Sequence, residues 1–242
     1  MIKQLNTALR TIIAALLIGI LALPVSAGEL LPKAQLISLT SVEGLARLGR
    51  IQGQTDYARL GALVETQATQ TFAGVATAVA ILNALNVVRP VDDIYEPYPF
   101  FTQRSFFTDA MAQVVTRKRT LEKGMTLEQL AGAMRWHGAE VTAVFAGAST
   151  SAAFREAVSD AVTDEDVMIA VNYRRDAMNQ PGGGHFSPIA GYDTETDSVL
   201  ILDVARYRYP PIWVKIDDLM TAMRKIDSDS GKTRGWLVVA PS

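Results

Sequence analysis

His185 is the residue whose sequence context best suits it for chemistry. It follows Gly182-Gly183-Gly184 and opens a predicted strand, Phe186 to Tyr192, so a ligand can approach the flexible backbone beside it. The other of the two histidines, His137, ends a predicted helix, where a protonated ring interacts favourably with the helix dipole. We therefore interpret His137 as structural and His185 as the candidate general base.

A predicted hairpin brings an acid close to this base. Residues 193–197 (DTETD) are typical of the loop of a hairpin, and they are followed by a second predicted strand, Ser198 to Asp203. If pairing is centred near residue 195, Asp203 lies diagonally across from His185 on the same sheet face, with roughly 7–8 Å between their Cβ atoms. An imidazole oriented by a carboxylate is half of a nucleophilic triad. A structural His–Asp hydrogen bond is the alternative.

The chain lacks the usual nucleophiles for such a base. It contains no cysteine, which excludes disulfides, thiolate zinc sites and, as the sequence stands, thiol catalysis. Ser187 lies two residues from His185 on the same strand, and a G-x-S-x-G motif is missing, so we interpret this serine as a packing residue. No second histidine or pair of carboxylates lies at ligand spacing, so no protein metal site is predicted.

A glutamine and a helix start supply an anion site without a nucleophile. Residues 74–85 (GVATAVAILNAL) show helical spacing of apolar residues, and Gln67 precedes the Ala73-Gly74 pair by six residues. In thiol peptidases built like papain, a glutamine amide and a backbone N–H at such a helix start hold the oxyanion, and the helix lowers the pKa of the thiol. Every part of that arrangement is present except the sulfur. An ordinary core helix is the alternative.

Four strings, taken in order, resemble bacterial phytochelatin synthases, which are glutathione gamma-glutamylcysteinyltransferases of the papain-like superfamily. They are TQATQTFAGVATAVAILNAL (66–85), GGGHFSPIAGYD (182–193), ILDVARYRYPPIWV (201–214) and KTRGW (232–236). In that family a cysteine begins the catalytic helix. The resemblance therefore implies that the nucleophile position is Ala73, the base His185, the orienting acid Asp203 and the oxyanion glutamine Gln67.

The resemblance also implies a reaction and a substrate. The thiolate would attack the Cys–Gly amide of glutathione, release glycine and form a gamma-glutamylcysteinyl thioester, which passes to a second glutathione, or gamma-glutamylcysteine peptide, or to water. Arginines suit the two carboxylates of glutathione, and its ammonium needs an acid. The implied substrate-binding residues are Asn172, Arg175, Gly184, Asp227 and Arg234, with a solvated charge or structural amide as the alternative for the four polar ones. No tightly bound cofactor is expected; cadmium or zinc would enter as a glutathione thiolate complex.

Alanine at position 73 leaves two explanations. The chain is either a natural relative without the thiol, acting as a binding protein for glutathione or a metal–thiolate complex, or a chain in which cysteine was replaced. The survival of every other part favours replacement. A peptidase for other small peptides would share the same fold.

The elements that must position these residues indicate an α+β fold. Helices are predicted at 74–85, 126–137 and 151–162, and strands at 167–173, 186–192, 198–203 and 235–240. The resemblance makes this a papain-like cysteine peptidase fold, with a helical N-terminal part packed on a C-terminal antiparallel sheet. Residues 28–242 are expected to form one catalytic domain.

The first 27 residues are typical of a secretory signal peptide. Lys3 and Arg10 precede an uncharged run, residues 11–23, and the small-residue end Val25-Ser26-Ala27 follows. Cleavage would leave an exported, periplasmic protein with no stable membrane insertion; an uncleaved anchor is the alternative. With 23 Lys and Arg against 25 Asp and Glu, the chain has no basic excess for nucleic acid. A homodimer remains an option for its assembly.

Overall fold

A computed structural model describes residues 34–85 and 87–242. The described residues form seven α-helices: α1 (Val42–Arg50), α2 (Asp56–Leu63), α3 (Ala73–Ala84), α4 (Arg117–Lys123), α5 (Leu127–Trp136), α6 (Ser151–Ala161) and α7 (Ile216–Met223). They also form seven strands: β1 (Ile37–Ser38), β2 (Ala139–Phe145), β3 (Met168–Arg174), β4 (Gly184–Asp193), β5 (Ser198–Ile201), β6 (Ile212–Lys215) and β7 (Gly235–Pro241). Three short 3₁₀ helices lie at Asp109–Gln113, Ala146–Ala148 and Arg175–Met178.

The seven strands form one antiparallel sheet with helices on both faces. The strand order is β1-β6-β5-β4-β3-β7-β2, so β4 lies at the centre. Alternate residues of the central strands belong to different hydrophobic clusters: Ala170 and Leu237 pack with α3 and α5, whereas Ile169, Val171 and Trp236 pack with α6 and α7. Both faces are buried, which explains the nearly continuous apolar runs of β3 and β7.

Helix α3 is buried on all sides. Eleven of its twelve residues, including the polar Thr77 and Asn83, are shielded from solvent. Its alanine-rich sequence favours the helix and lets β4, α2 and α5 approach closely. Phe186 and Leu130 lie next to Gly74, at about 3.4–3.5 Å from where a Cβ would be, which is ordinary van der Waals contact. The segment is therefore a core helix, as one of the two sequence-based interpretations holds, and it begins at Ala73.

Most predicted elements are confirmed within one or two residues. The helix predicted at 126–137 is α5, which begins at Leu127 with a capping box between Thr126 and Gln129. The strand predicted at 198–203 is shorter, because β5 ends at Ile201. The α+β class is confirmed as a mixture of helices and an antiparallel sheet.

The predicted division into helices first and sheet afterwards is wrong in two respects. β1 and β2 come from the N-terminal part and occupy the two edges of the sheet, and α7 belongs to the C-terminal part. β2 was missed because it follows directly on α5 and its outer residues are partly exposed. β1 has only two residues, too few for a periodic pattern.

The predicted hairpin is present with one irregularity. Ile189 pairs with Ile201, the register expected from a centre near residue 195, whereas Tyr192 pairs with Val199, one residue out of it. A β-bulge between the two pairs takes up the difference. At Ile189, between the bulge and the strand start at Gly184, the pairing follows the expected register. His185 therefore lies on the sheet face that Asp203 reaches.

The proposed signal peptide, residues 1–27, lies outside the described residues. In the part of the chain that the structure describes, no helix combines the length and apolar character needed to cross a bilayer.

Candidate active site

His185 and Asp203 meet at the end of the central strand. His185 Nε2 lies 3.0 Å from Asp203 Oδ1, and both side chains are buried. The contact expected from the hairpin is thus confirmed. Burial tends to raise the pKa of the Asp203 carboxyl, but the hydrogen bond from His185 and the charges of His185 and Arg175 outweigh it and lower that pKa. An ionised carboxylate only accepts hydrogen bonds, so His185 carries its proton on Nε2 and keeps the Nδ1 lone pair free.

Three further groups hold the Asp203 carboxylate. Arg175 Nη2 donates to Oδ1 at 2.8 Å, and the Ala205 backbone N–H donates to the same oxygen at 2.8 Å. The Tyr173 hydroxyl donates to Oδ2 at 3.4 Å, and its ring meets the His185 ring edge-on at 5.7 Å between centroids. The carboxylate is therefore fixed from several sides, which fixes the imidazole in turn.

The surroundings of His185 lower its pKa. Burial lowers its pKa most, Arg175 lowers it further, and Asp203 acts in the opposite direction. The pKa of His137 is also lowered, because partial burial outweighs the opposing effect of the hydrogen bond between its Nε2 and the Phe106 carbonyl oxygen at 2.8 Å. The His137 ring packs against the rings of Phe101 and Phe106. These contacts are consistent with the structural interpretation of His137.

Ala73 and His185 line one cavity of about 510 Å³. Ala73 is the first residue of α3. The N-cap residue of this helix, Phe72, makes no side-chain hydrogen bond to the helix start. The backbone N–H groups of a first helical turn have no partner within the helix, and the helix dipole places partial positive charge there. The cavity therefore joins a general base to the kind of helix start that stabilises an anion.

The same cavity is also lined by a buried arginine with an amide and an acid. Arg234 Nη1 donates to Asn172 Oδ1 at 2.9 Å, and its Nη2 lies 3.4 Å from Asp227 Oδ1. Gly184 makes room for the arginine, because a Cβ there would lie 2.5 Å from Arg234 Nη1. Arg234, Asn172, Asp227 and Gly184 all line the cavity with Ala73 and His185, so the sequence-predicted residues come together as a group.

Gln67 and Arg175 border a second cavity. It has a volume of about 190 Å³ and shares Gln70, Gly183, Gly184 and His185 with the first. Gln67 Nε2 donates to the Thr69 carbonyl at 2.8 Å and lies 3.2 Å from the Tyr207 hydroxyl. Its Oε1 is buried and finds no hydrogen-bond partner among the described residues.

Sequence reasoning missed the side chains that support the site. They are Tyr173, Gln180, Tyr207 and Tyr209. The two tyrosines of the ARYRYPP segment offered a signal, because aromatic residues near a candidate base often cover or support a site. Tyr173 offered none, since it sits inside an apolar strand. Among the described residues no group of three or more histidines and carboxylates could hold a metal ion.

Comparison with known proteins identifies the family. The family model "Phytochelatin synthase" matches residues 28–236. The chain belongs to the phytochelatin synthase family. It is 34% identical over 216 residues to glutathione gamma-glutamylcysteinyltransferase 3 of Lotus japonicus, an alignment that covers 88% of this chain and 44% of the relative. It is 33% identical over 216 residues to glutathione gamma-glutamylcysteinyltransferase 1 of Arabidopsis thaliana, covering 87% of this chain and 43% of the relative.

Membership of the family confirms the resemblance found in the sequence. The chain spans less than half the length of these curated relatives. The family match, residues 28–236, includes both the helix start at Ala73 and the His185–Asp203 pair.

Proposed function

We propose that this chain is the catalytic domain of a glutathione gamma-glutamylcysteinyltransferase that lacks its nucleophile. One observation carries the proposal: the His185–Asp203 pair and the start of α3 at Ala73 line the same cavity in a chain of this family. A papain-like arrangement needs a thiol at that helix start, and position 73 ends in a methyl group. As written, the chain binds substrate and does not turn it over.

With a thiol at position 73, the reaction would proceed by acyl transfer. The sulfur attacks the carbonyl carbon of the Cys–Gly amide, and its proton passes to Nδ1 of His185. The same proton is then given to the glycine nitrogen as the C–N bond breaks, so that glycine leaves and a gamma-glutamylcysteinyl thioester remains. The amine of a second glutathione, or water, then takes the acyl group. Asp203 keeps the imidazole in the required tautomer throughout.

The large cavity suits the gamma-glutamyl end of the donor. That end carries a carboxylate and an ammonium on one carbon atom. Arg234 can fork onto the carboxylate, and Asp227 can pair with the ammonium. Asn172 already accepts a hydrogen bond from Arg234 and so holds the guanidinium in the cavity wall. This charge pattern favours a gamma-linked amino acid over an ordinary peptide, which has no free carboxylate beside its amine.

The oxyanion would be held by Gln67 and by the helix start. The Gln67 amide now donates to Thr69 and contacts Tyr207, so it must reorient when a tetrahedral oxyanion forms. Its unpartnered Oε1 supports such a reorientation, because the present position leaves one buried polar atom unsatisfied.

Three further expectations complete the proposal. The fold is papain-like, residues 1–27 direct export to the periplasm, and a heavy-metal ion such as cadmium or zinc takes part as the thiolate complex of glutathione. The charges in the cavity recognise the peptide and not the ion, so a metal effect would act through the substrate.

A binding protein is the second candidate, and Ala73 itself favours it. A methyl group at the helix start leaves the substrate cavity intact while removing the reaction. In this case the chain captures glutathione or a metal–thiolate complex without reacting.

The test is to restore the thiol and measure glycine release. Ala73→Cys, purified reduced, is expected to release glycine from glutathione, while the double variant Ala73→Cys/His185→Gln is not. Calorimetry on the unaltered chain should show glutathione binding. Binding without any rescued turnover supports the binding protein, and rescue with other peptides but not with glutathione supports a different peptidase. A correctly folded Ala73→Cys variant with neither binding nor turnover rejects the proposal.

A further inference from the structure

The guanidinium of Arg175 is buried behind the His185–Asp203 pair. Only 4% of the Arg175 residue is exposed. Its Nη2 donates to Asp203 at 2.8 Å, and its Nη1 donates to Gln180 Oε1 at 2.6 Å. Its Cζ atom lies 4.1 Å from the centre of the Tyr209 ring. Both ends of the fork are therefore occupied by protein groups, although the residue borders the smaller cavity.

The loop after β3 is built around this arginine. Arg175 begins a 3₁₀ helix, its backbone N–H donates to the Gly183 carbonyl at 3.0 Å, and its carbonyl accepts from the Gln180 N–H at 3.1 Å. Gly182 has φ of +136°, and a Cβ there would lie 2.9 Å from Arg175 Cδ. The chain thus folds back over the side chain and places Gly184 and His185 directly after it. This indicates a fixed position for the guanidinium.

A second cation changes the charge balance of the pair. In an isolated His–Asp pair, protonation of the ring makes the pair neutral, so a carboxylate favours the imidazolium. Arg175 is permanently charged and already neutralises Asp203. In the chain with Ala73, an imidazolium at His185 would therefore place an uncompensated positive charge in a buried site, which is unfavourable.

We propose that Arg175 is a positioning residue that keeps His185 neutral in the chain with Ala73 and that, with a thiol at position 73, shifts the pair away from thiolate–imidazolium and toward deprotonation of the sulfur during attack. The inference gives the proposed transferase a general-base mechanism and rests on that function for its catalytic meaning. The Nε2 proton stays on the hydrogen bond to Asp203.

The other groups around His185 do not replace Arg175 in this role. From β3, the fully buried Tyr173 hydroxyl reaches Asp203, and burial raises its pKa so that it stays neutral. The charged groups that line the cavities beside His185 are Lys123, Arg174, Asp227, Asp229 and Arg234 in the larger one and, besides Arg175, Arg208 in the smaller one. These six groups carry four positive and two negative charges beside open cavities, whereas Arg175 and Asp203 are in direct contact and shielded from solvent.

The titration of His185 tests the proposal in the chain as it exists. The chain has two histidines, so its imidazole NMR signals are assigned with His137→Gln alone. We expect His185 to titrate below its ordinary value of about 6.5. Arg175→Met should raise its pKa by about 1 or more, Arg175→Lys should keep it low, and Asp203→Asn should lower it further.

The decisive result is that the His185 pKa moves up in Arg175→Met and down in Asp203→Asn. A structural role for Arg175 would loosen the site without raising the His185 pKa. If Arg175→Met folds and leaves the pKa unchanged or lower, the proposal is overturned. If Arg175→Met does not fold, a rise in Asp203→Asn overturns it instead. Neither measurement needs a thiol or a substrate, so failure of Ala73→Cys to release glycine leaves this result independent.

A second readout concerns the nucleophile directly. Ala73→Cys carries the single thiol of the chain, so its ionisation follows from the pH dependence of its alkylation by iodoacetamide. Adding Arg175→Met should lower the thiol pKa by about 1 or more, because an imidazolium can then form beside it. Coincident alkylation profiles with and without Arg175→Met overturn the proposed effect on the nucleophile.

Discussion

The two halves of the active site differ in how completely the fold has built them. In the dyad half, formed by His185 and Asp203 with Arg175 and Tyr173, the carboxylate receives hydrogen bonds from all three neighbouring side chains. Each of these groups is buried, so the arrangement is held without a ligand.

The helix half, formed by Gln67 and Ala73, is unfinished. Gln67 has a buried oxygen with no partner among the described residues, and Ala73 presents only a methyl group to the cavity. The acid–base part of the site is therefore a property of the folded chain, whereas the nucleophilic part depends on one side-chain atom. Variants in the two halves should therefore fail in different ways.

The largest effect is expected from the dyad half. In the Ala73→Cys background, His185→Gln should lower kcat for glycine release on the order of 10⁴-fold, because the group that accepts and returns the proton is lost. Initial rates at saturating glutathione measure this. A rate of the histidine variant within tenfold of its parent would show that the dyad half does not supply the acid–base catalysis.

A smaller effect is expected from the helix half. In the same background, Gln67→Ala should lower kcat by about 10²- to 10³-fold, the usual cost of one oxyanion donor. The Michaelis constant should change little, since the oxyanion forms only in the transition state. An unchanged kcat would show that the helix N–H groups hold the oxyanion without Gln67. Gln70→Ala, at a nearby glutamine lining both cavities, serves as the matched control.

The large cavity borders both Ala73 and His185, and changes in its charged lining should affect binding more than rate. Arg234→Met removes the charged donor to a substrate carboxylate, which corresponds to about 1.5–3 kcal/mol and so to a loss of about tenfold or more in affinity. Calorimetry on the unaltered Ala73 chain and its Arg234→Met variant measures this without turnover. Glutathione binding of equal strength in both would place the gamma-glutamyl end elsewhere.

The smallest effect concerns stability against pH. The pKa values of His185 and His137 are lowered in the folded chain, so their contribution is complete above about 6.5 and is lost as the pH falls toward the folded values. Burial raises the pKa of Asp56 to about 7, which has the opposite sign: its contribution is present at acidic pH and is lost as the pH rises through about 7.

Urea denaturation between pH 8 and pH 5 separates these contributions. The variant Asp56→Asn should lose more stability on acidification than its parent, because the opposing carboxyl is gone. His185→Gln should lose less. An Asp56→Asn variant with the same pH dependence as its parent would show that this carboxyl titrates normally in the folded state.

The dyad half was largely predictable from the sequence. The DTETD loop and its flanking apolar runs fix a hairpin, and a hairpin fixes which residues share a face. The β-bulge moved the register by one residue near the turn, yet His185 and Asp203 still met. Arg175 could not be placed on Asp203 in this way, because its position depends on the path of the loop over residues 175–184 and not on strand periodicity.

The helix half was less predictable for a different reason. The pattern of residues 74–85 predicts the helix and its start, but it cannot say which groups Gln67 meets. Those partners, Thr69 and Tyr207, come from a local turn and from a segment 140 residues away. The edge strands β1 and β2 were missed because short or half-exposed strands carry little periodicity.

The central place of β4 in the sheet has a consequence for how the molecule opens. His185 sits at the start of the strand that has three neighbours on either side, while β1 and β2 occupy the margins. Amide protons of the marginal strands should exchange with solvent through local fraying, whereas those of β4 should exchange only when the whole domain unfolds. Partial loosening of the molecule, by warming or by loss of an outer strand, would therefore leave the base and its acid assembled.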